Sequence, residues 1–113
     1  MKLNSNQALA LWQGAILESV RRDSPDLSAR QMALLTTVYL LAPPHTVRGL
    51  ADQLNISKPA ITRALDRLSE LGMIRRKPDD NDRRSINIQR TVKGSVYLTE
   101  FADLIVKSAK DIS

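Results

Sequence analysis

The chain has 113 residues, 42% hydrophobic and 26% charged, with a net charge of +5 and a pI near 10.0: enough for one hydrophobic core, but without the roughly 18 consecutive apolar residues that a bilayer span needs. Cysteine is absent and His45 is the only histidine, which excludes disulfides, thiol redox switches and thiolate metal sites and means that a histidine-based zinc site would need several carboxylate partners; no metal and no cofactor is expected. Between Thr46 and Thr91 stand 10 Lys/Arg against 6 Asp/Glu, so the positive excess is concentrated in the middle of the chain and favours a polyanionic partner there.

The N-terminal run Met1-Lys2-Leu3-Asn4-Ser5-Asn6 lacks the apolar stretch of a signal peptide, and the expected location is the cytoplasm. From about Asn4 to Arg22 the spacing predicts an amphipathic helix with Leu9, Trp12, Ile16 and Val20 on one face, flanked by Ala8, Leu11 and Ala15. Asp23-Ser24-Pro25-Asp26 breaks it. A second helix starts near Ser28, where Ser28-Ala29-Arg30-Gln31 fits the S-x-x-Q capping box. Its body, Met32 to Ala42, is apolar almost all round and should lie buried; Pro43-Pro44 ends it.

A short helix near Arg48 to Leu54 turns Val47, Leu50, Ala51 and Leu54 inward, and Asn55-Ile56 makes a turn. Ser57 is a good N-cap for the next helix, Pro59 is tolerated in its first turn, and Ile61, Ala64, Leu65 and Leu68 form its buried stripe, continued by Leu71, with Gly72 as the stop. The period then changes. Met73 to Lys77 and Ser85 to Thr91 read as two strands around the polar turn Pro78-Asp79-Asp80-Asn81-Asp82, with Ile86 and Ile88 alternating with Asn87 and Gln89. Thr91 can cap a last helix with an apolar stripe of Tyr97, Phe101, Leu104, Ile105 and Ala109. The chain is therefore expected to be mainly α with a small β-hairpin: a single winged helix-turn-helix domain over 1–113, divided into N-terminal helices (4–42), the winged helix-turn-helix (46–91) and a C-terminal helix (92–113).

With its core face occupied, the second helix of the pair presents Lys58, Thr62, Arg63, Asp66 and Arg67 outward. Its N-terminal half, the part of a recognition helix that reaches base edges, offers Ser57, Lys58, Pro59, Ala60, Thr62 and Arg63: Arg can read guanine with two donors, Thr can bond a base or phosphate, and the Ala60 methyl can meet a thymine methyl. Asp66 and Glu70 are better read as an ordinary solvated face, since phosphates repel them. In the wing, Arg75, Arg76 and Lys77 lead in and Arg83 and Arg84 follow the acidic tip; an arginine there fits a narrow minor groove. Asp82 is placed to pair with Arg84 in a bidentate geometry and set its direction, while Asp79 and Asp80 shape the turn.

The run from Thr46 to Leu54, then Ile56-Ser57-Lys58-Pro59-Ala60-Ile61-Thr62-Arg63-Ala64-Leu65-Asp66-Arg67-Leu68 and Leu71-Gly72-Met73-Ile74-Arg75-Arg76, resembles the helix-turn-helix of the MarR family. Asp79-Asp80-Asn81-Asp82-Arg83-Arg84 is similar to that family's wing motif, which ends in Asp-x-Arg, and Thr91-Val92-Lys93-Gly94 to its T-x-K/E-G pattern. The resemblance implies a transcriptional regulator that binds pseudo-palindromic double-stranded DNA as a homodimer, recognition helix in the major groove and wing in the minor groove. It also implies a small-molecule effector pocket between the dimerisation and DNA-binding regions. Ser57, Lys58, Thr62 and Arg63 match recognition-helix contact positions and Asp82 and Arg84 the wing pair, with Arg67 and Arg83 as further candidates. Members build their dimer from the N-terminal helix and two long C-terminal helices; the chain given leaves room for one after Thr91, so a short member lacking the last helix is expected. Its first and last helices then either form the dimer or complete the monomer core.

No activated nucleophile, phosphate loop, metal cluster or paired carboxylates in a pocket point to an enzyme. The remaining alternatives share the fold: a winged helix used for protein–protein assembly, or a DNA-binding protein of replication or recombination.

Overall fold

A computed structural model describes residues 2–112. Along the chain run α1 (Ser5–Arg21), α2 (Ala29–Leu40), α3 (Val47–Leu54), α4 (Lys58–Glu70), β1 (Ile74–Pro78), β2 (Ile86–Arg90) and α5 (Val92–Asp111). The architecture is the expected one, mainly helical with one antiparallel hairpin. Its residues gather into two compact units, one from Leu27 to Val96 and one made of the residues up to Asp26 together with those from Tyr97 onward.

The Leu27–Val96 unit is built on aliphatic stripes at helical spacing. Leu34, Leu35 and Val38 of α2, Leu50 of α3 and Ile61, Leu65 and Leu68 of α4 are all but fully buried, with Met73, Ile74 and Ile88 from the hairpin side. Each such side chain contributes about 1.5–3 kcal/mol through burial. The predicted capping box starts α2: Ser28 Oγ accepts from the Gln31 N–H at 3.1 Å, and Gln31 Oε1 accepts from the Ser28 N–H at 2.9 Å. The expectation that α2 is buried all round is corrected. Its inner face is buried, but Leu40 is 80% exposed and Leu41 44% exposed: Leu40 is the last helical residue and Leu41 has already left the helix in extended backbone. Helix α2 stops at Leu40, ahead of Pro43-Pro44.

The end of α2 is held by groups that local pattern does not reveal. Arg90 Nε donates to the Val38 carbonyl at 3.0 Å and Arg90 Nη2 to the Leu41 carbonyl at 3.2 Å, placing a cation at a helix C-terminus, where carbonyls are unpaired and the dipole is negative. The His45 ring is buried, with Nε2 at 3.2 Å from the same Leu41 carbonyl.

The hairpin register pairs Ile74 with Arg90, Arg76 with Ile88 and Pro78 with Ile86, one residue inside the strand ends that the sequence suggests at β2 and one later at β1. A bridge between Thr46 and Asn87, with the Ile88 N–H donating to the His45 carbonyl at 2.8 Å, ties the segment before α3 to β2. Where the hairpin hands over to α5, the Tyr39 hydroxyl accepts from the Thr91 N–H at 2.8 Å and lies 2.6 Å from the Thr91 carbonyl and 3.1 Å from that of Met73. Thr91 Oγ1 accepts from the Gly94 N–H at 3.0 Å, the cap that the sequence predicts.

In the other unit, α1 begins with a capping box of its own, Asn4 with Gln7 at 2.8 and 3.0 Å. It meets α5 where Ser108 Oγ donates to the Leu11 carbonyl at 2.7 Å. The Tyr97 hydroxyl donates to the Pro25 carbonyl at 3.2 Å, under an Arg22 guanidinium 5.1 Å from its ring centre. Of the two roles open to the α1 stripe, completing the core is not the one that Leu9, Trp12 and Val20 take: they are 66%, 55% and 59% exposed, while Ile16, Leu11 and Gly14 are half-buried and Ala15 is buried. The α5 stripe follows the expectation at Tyr97 and Phe101, which are buried, and more weakly at Leu104, Ile105 and Ala109.

Candidate nucleic-acid interface

Helix α3 starts on Thr46, whose Oγ1 accepts from the Gly49 N–H at 3.0 Å, and ends on Asn55 in the left-handed region at φ 55°, a conformation that asparagine tolerates better than most residues. The Ile56 N–H returns to the Ala51 carbonyl at 3.1 Å. This tight reversal leaves Ser57 extended, and its Oγ accepts from the Ala60 N–H at 3.3 Å to start α4, with Pro59 in the first turn. Gly72, at φ 73°, closes α4 and turns the chain into β1.

Because Ile61, Ala64, Leu65 and Leu68 face the core, Lys58, Pro59, Thr62, Arg63, Asp66 and Arg67 are exposed. Ala60 is not among them. It is buried, 6% exposed, being one turn ahead of Ala64 on the same inward stripe, so its methyl is not available to a thymine and it leaves the candidate set. Ser57 remains exposed, although its hydroxyl oxygen already caps α4.

The wing turn is shaped by its acids. Asp79 Oδ1 accepts from the Asn81 N–H at 2.8 Å and Asp82 Oδ1 from the Arg84 N–H at 3.1 Å, while the Asp79 and Ser85 N–H groups close the loop onto Ser85 and Asp82 carbonyls at 2.9 Å each. Asp82 and Arg84 are neighbours as expected, but not in the bidentate fork: Arg84 Nε is 3.7 Å from Asp82 Oδ1, and the Arg84 side chain is 96% exposed. The turn spends the carboxylate on the backbone N–H, leaving the guanidinium extended into solvent. Arg83 is exposed beside it.

Ion pairing separates occupied cations from open ones. Arg67 lies 3.9 Å from Glu70, and Arg76 hydrogen-bonds Asp66 at 2.6 Å. Among the described residues, Lys58, Arg63, Arg75, Lys77 and Arg83 make no ion pair and no hydrogen bond through their side chains. The two carboxylates of the α4 surface, which would repel phosphates, thus each have a basic neighbour, while five cations of the same compact unit have no acidic partner. The Asp66–Arg76 contact was not legible in the sequence, where the two residues stand ten positions apart on elements of different period. Among the described residues no group of three or more His, Asp or Glu could hold a metal ion, and no helix is long and apolar enough to cross a membrane.

A tight helix-turn-helix followed by a hairpin with basic flanks defines a winged helix-turn-helix. The MarR family model matches residues 27–86, and the chain belongs to the MarR family. It is 34% identical over 88 residues to the HTH-type transcriptional regulator PecS of Dickeya dadantii (strain 3937), a match covering 76% of this chain and 53% of that protein; the chain thus spans about half the length of this curated relative. Among solved structures, a mutant of MepR from S. aureus superposes with a TM-score of 0.78 at 19% identity, covering 98% of this chain and 83% of that one. Wild-type apo MarR from E. coli gives 0.72 at 25% identity over 95% of this chain and 75% of that one.

Proposed function

We propose that the protein is a sequence-specific double-stranded DNA-binding transcriptional regulator, with α4 in the major groove and the wing in the minor groove. The observation that carries this reading is the set of uncompensated cations on the outer face of α4 and along the hairpin of the same compact unit. Lys58 and the α4 N-terminus suit phosphate, Arg63 and Thr62 stand on the half of the helix that reaches base edges, and Arg83 and Arg84 extend from the wing tip. Pro59 is exposed at the same helix end and belongs to the same candidate contact set, Arg67 is a DNA-backbone contact partly held by Glu70, and Asp82 shapes the turn that presents Arg84. The regulatory role of PecS, as its name gives it, supports the same reading.

Selection of bound duplexes from a random pool, followed by binding across a salt series, tests the proposal. A recovered palindrome with half-sites about one helical turn apart, bound with a steep salt slope, is the expected result. Absence of salt-sensitive affinity for any duplex would overturn it in favour of a protein-assembly role.

Homodimerisation belongs to the same proposal. Leu9, Trp12 and Val20 on α1 and Val106 on α5 are more than half exposed, an apolar surface of the kind that covers itself with a second copy. A recess of about 100 Å³ lined by Gly14, Leu17, Glu18, Leu104, Lys107 and Ser108 has room for a few waters, not for a drug-sized effector, whose sites start near ~300 Å³.

A further inference from the structure

Asp66 and Arg76 each look misplaced on a surface meant for DNA. Asp66 puts a carboxylate on the outer face of α4, and Arg76, on β1, has its charge already paired. The Arg76 Nη1 to Asp66 Oδ1 hydrogen bond, at 2.6 Å, is the shortest between side chains among the described residues. It is also the only ion pair of the described Leu27–Val96 unit that joins two elements, since Arg67–Glu70 lies within α4 and Arg84–Asp82 within the wing turn. The side chains are 35% and 51% exposed, so the pair is screened and adds little to stability, of the order expected for surface pairs.

Its position is more informative than its strength. A two-stranded hairpin is a flexible object by itself. Here Ile74 and Ile88 anchor its base in the core, while Arg75, Arg76, Lys77 and Pro78 are exposed. Alternation along β1 puts Ile74 and Arg76 on one face and Arg75 and Lys77 on the other. Arg76, opposite Ile88 in the register, is therefore the first residue after Ile74 on the face turned to α4, and Asp66 is what it meets. The geometry points to Asp66 and Arg76 as a positioning pair that fixes the angle of the wing against the recognition helix, so that base reading by α4 and minor-groove reading by Arg84 occur in one register. Neither side chain touches DNA in this role. The inference rests on the DNA-binding reading above.

Three variants test it: D66N, R76Q and the double substitution, each assayed on the duplex that the parent protein selects from a random pool and on a scrambled duplex of equal length. Loss of positioning lowers the ratio of selected to scrambled affinity by about tenfold, on the scale of one misread base pair. Both single variants lower it, in the same direction although one removes an acid and the other a base, and the double variant is no worse than either single one. The salt slope of R76Q stays at the parent value, because no phosphate contact is lost, and unfolding midpoints stay near the parent's. The pair would instead be two independent surface charges if D66N bound both duplexes more tightly, R76Q bound both more weakly with a slope shallower by about 0.9, and the ratio stayed constant; that result overturns the inference while leaving DNA binding intact. A parent protein that selects no duplex overturns both readings.

Discussion

Ala60 and Arg63 stand three residues apart on α4 and end in opposite environments. Arg63 is exposed and unpaired, free to turn toward a base edge; Ala60 is walled into the core. The spacing already contained this distinction, because Ala60, Ala64 and Leu68 share one stripe at intervals of four. A small apolar residue at the start of a helix, however, is compatible with either face until its neighbours are known. Arg63→Ala is expected to leave the unfolding midpoint near the parent value and to cost about 1–3 kcal/mol of binding at its own base pair, relaxing preference there. Titrating the variant against single-position mismatches of the selected duplex checks this. Gly94 is a second residue whose role is steric. A Cβ at this position would run into the Met73 carbonyl and the Tyr39 hydroxyl, and the carbonyl belongs to backbone that cannot easily give way. Gly94→Ala is therefore expected to destabilise by about 1–3 kcal/mol, the usual range for overpacking, read from denaturant unfolding.

At the level of elements, the sequence is most informative where one helix face is plainly apolar and the cap is local. Helix α4, its Ser57 cap and its Gly72 stop follow from that logic, as does the Ser28 box of α2. It is least informative for α1, which carries apolar residues on more than one face. Periodicity identifies such faces but not which one meets a neighbour. The choice falls to the side with small residues, where Ser108 comes within 2.7 Å of the Leu11 carbonyl, and the bulky side with Trp12 is left outside. The end of α2 shows the same limit in a polar setting: Arg90, 49 positions from Leu41, supplies the donors, and no local rule anticipates a cap from so far along the chain. Arg90→Ala should expose these carbonyls to loss of a charged partner and lower stability by about 1–2 kcal/mol, with faster amide exchange in the last turn of α2 as the local readout.

At the scale of the whole molecule, two properties can be measured directly. The exposed α1 face predicts self-association. Trp12→Glu is expected to shift the protein toward the monomer mass in sedimentation while leaving the helical signal unchanged, since Trp12 is 55% exposed and takes no part in the core. The second concerns alkaline pH. Burial raises the Tyr97 phenol above its ordinary value of 10.0, opposed by a hydrogen bond and the charge of Arg22 and reinforced by Asp26. The neutral phenol is thus favoured by the folded state. Its contribution is fully present below pH 10, and it is lost as pH rises through the raised folded value. The parent should lose stability more steeply above pH 10 than Tyr97→Phe, in thermal unfolding followed at a series of pH values.

What the residues alone determined is the class of protein and the proposed DNA-facing surface: stripes at intervals of three and four, a switch to intervals of two, turn residues between them, and basic side chains on the faces left over. These are short-range properties, set by backbone geometry and by which side chains water excludes. The tertiary structure decided the rest. It drew Ala60 inward, turned Trp12 outward, loosened the expected Asp82–Arg84 fork into a backbone hydrogen bond, and brought Arg76 onto Asp66. Each of these depends on contacts between segments distant in sequence, whose outcome is set by shape and by competition for the same polar partners, and neither is written in the local pattern.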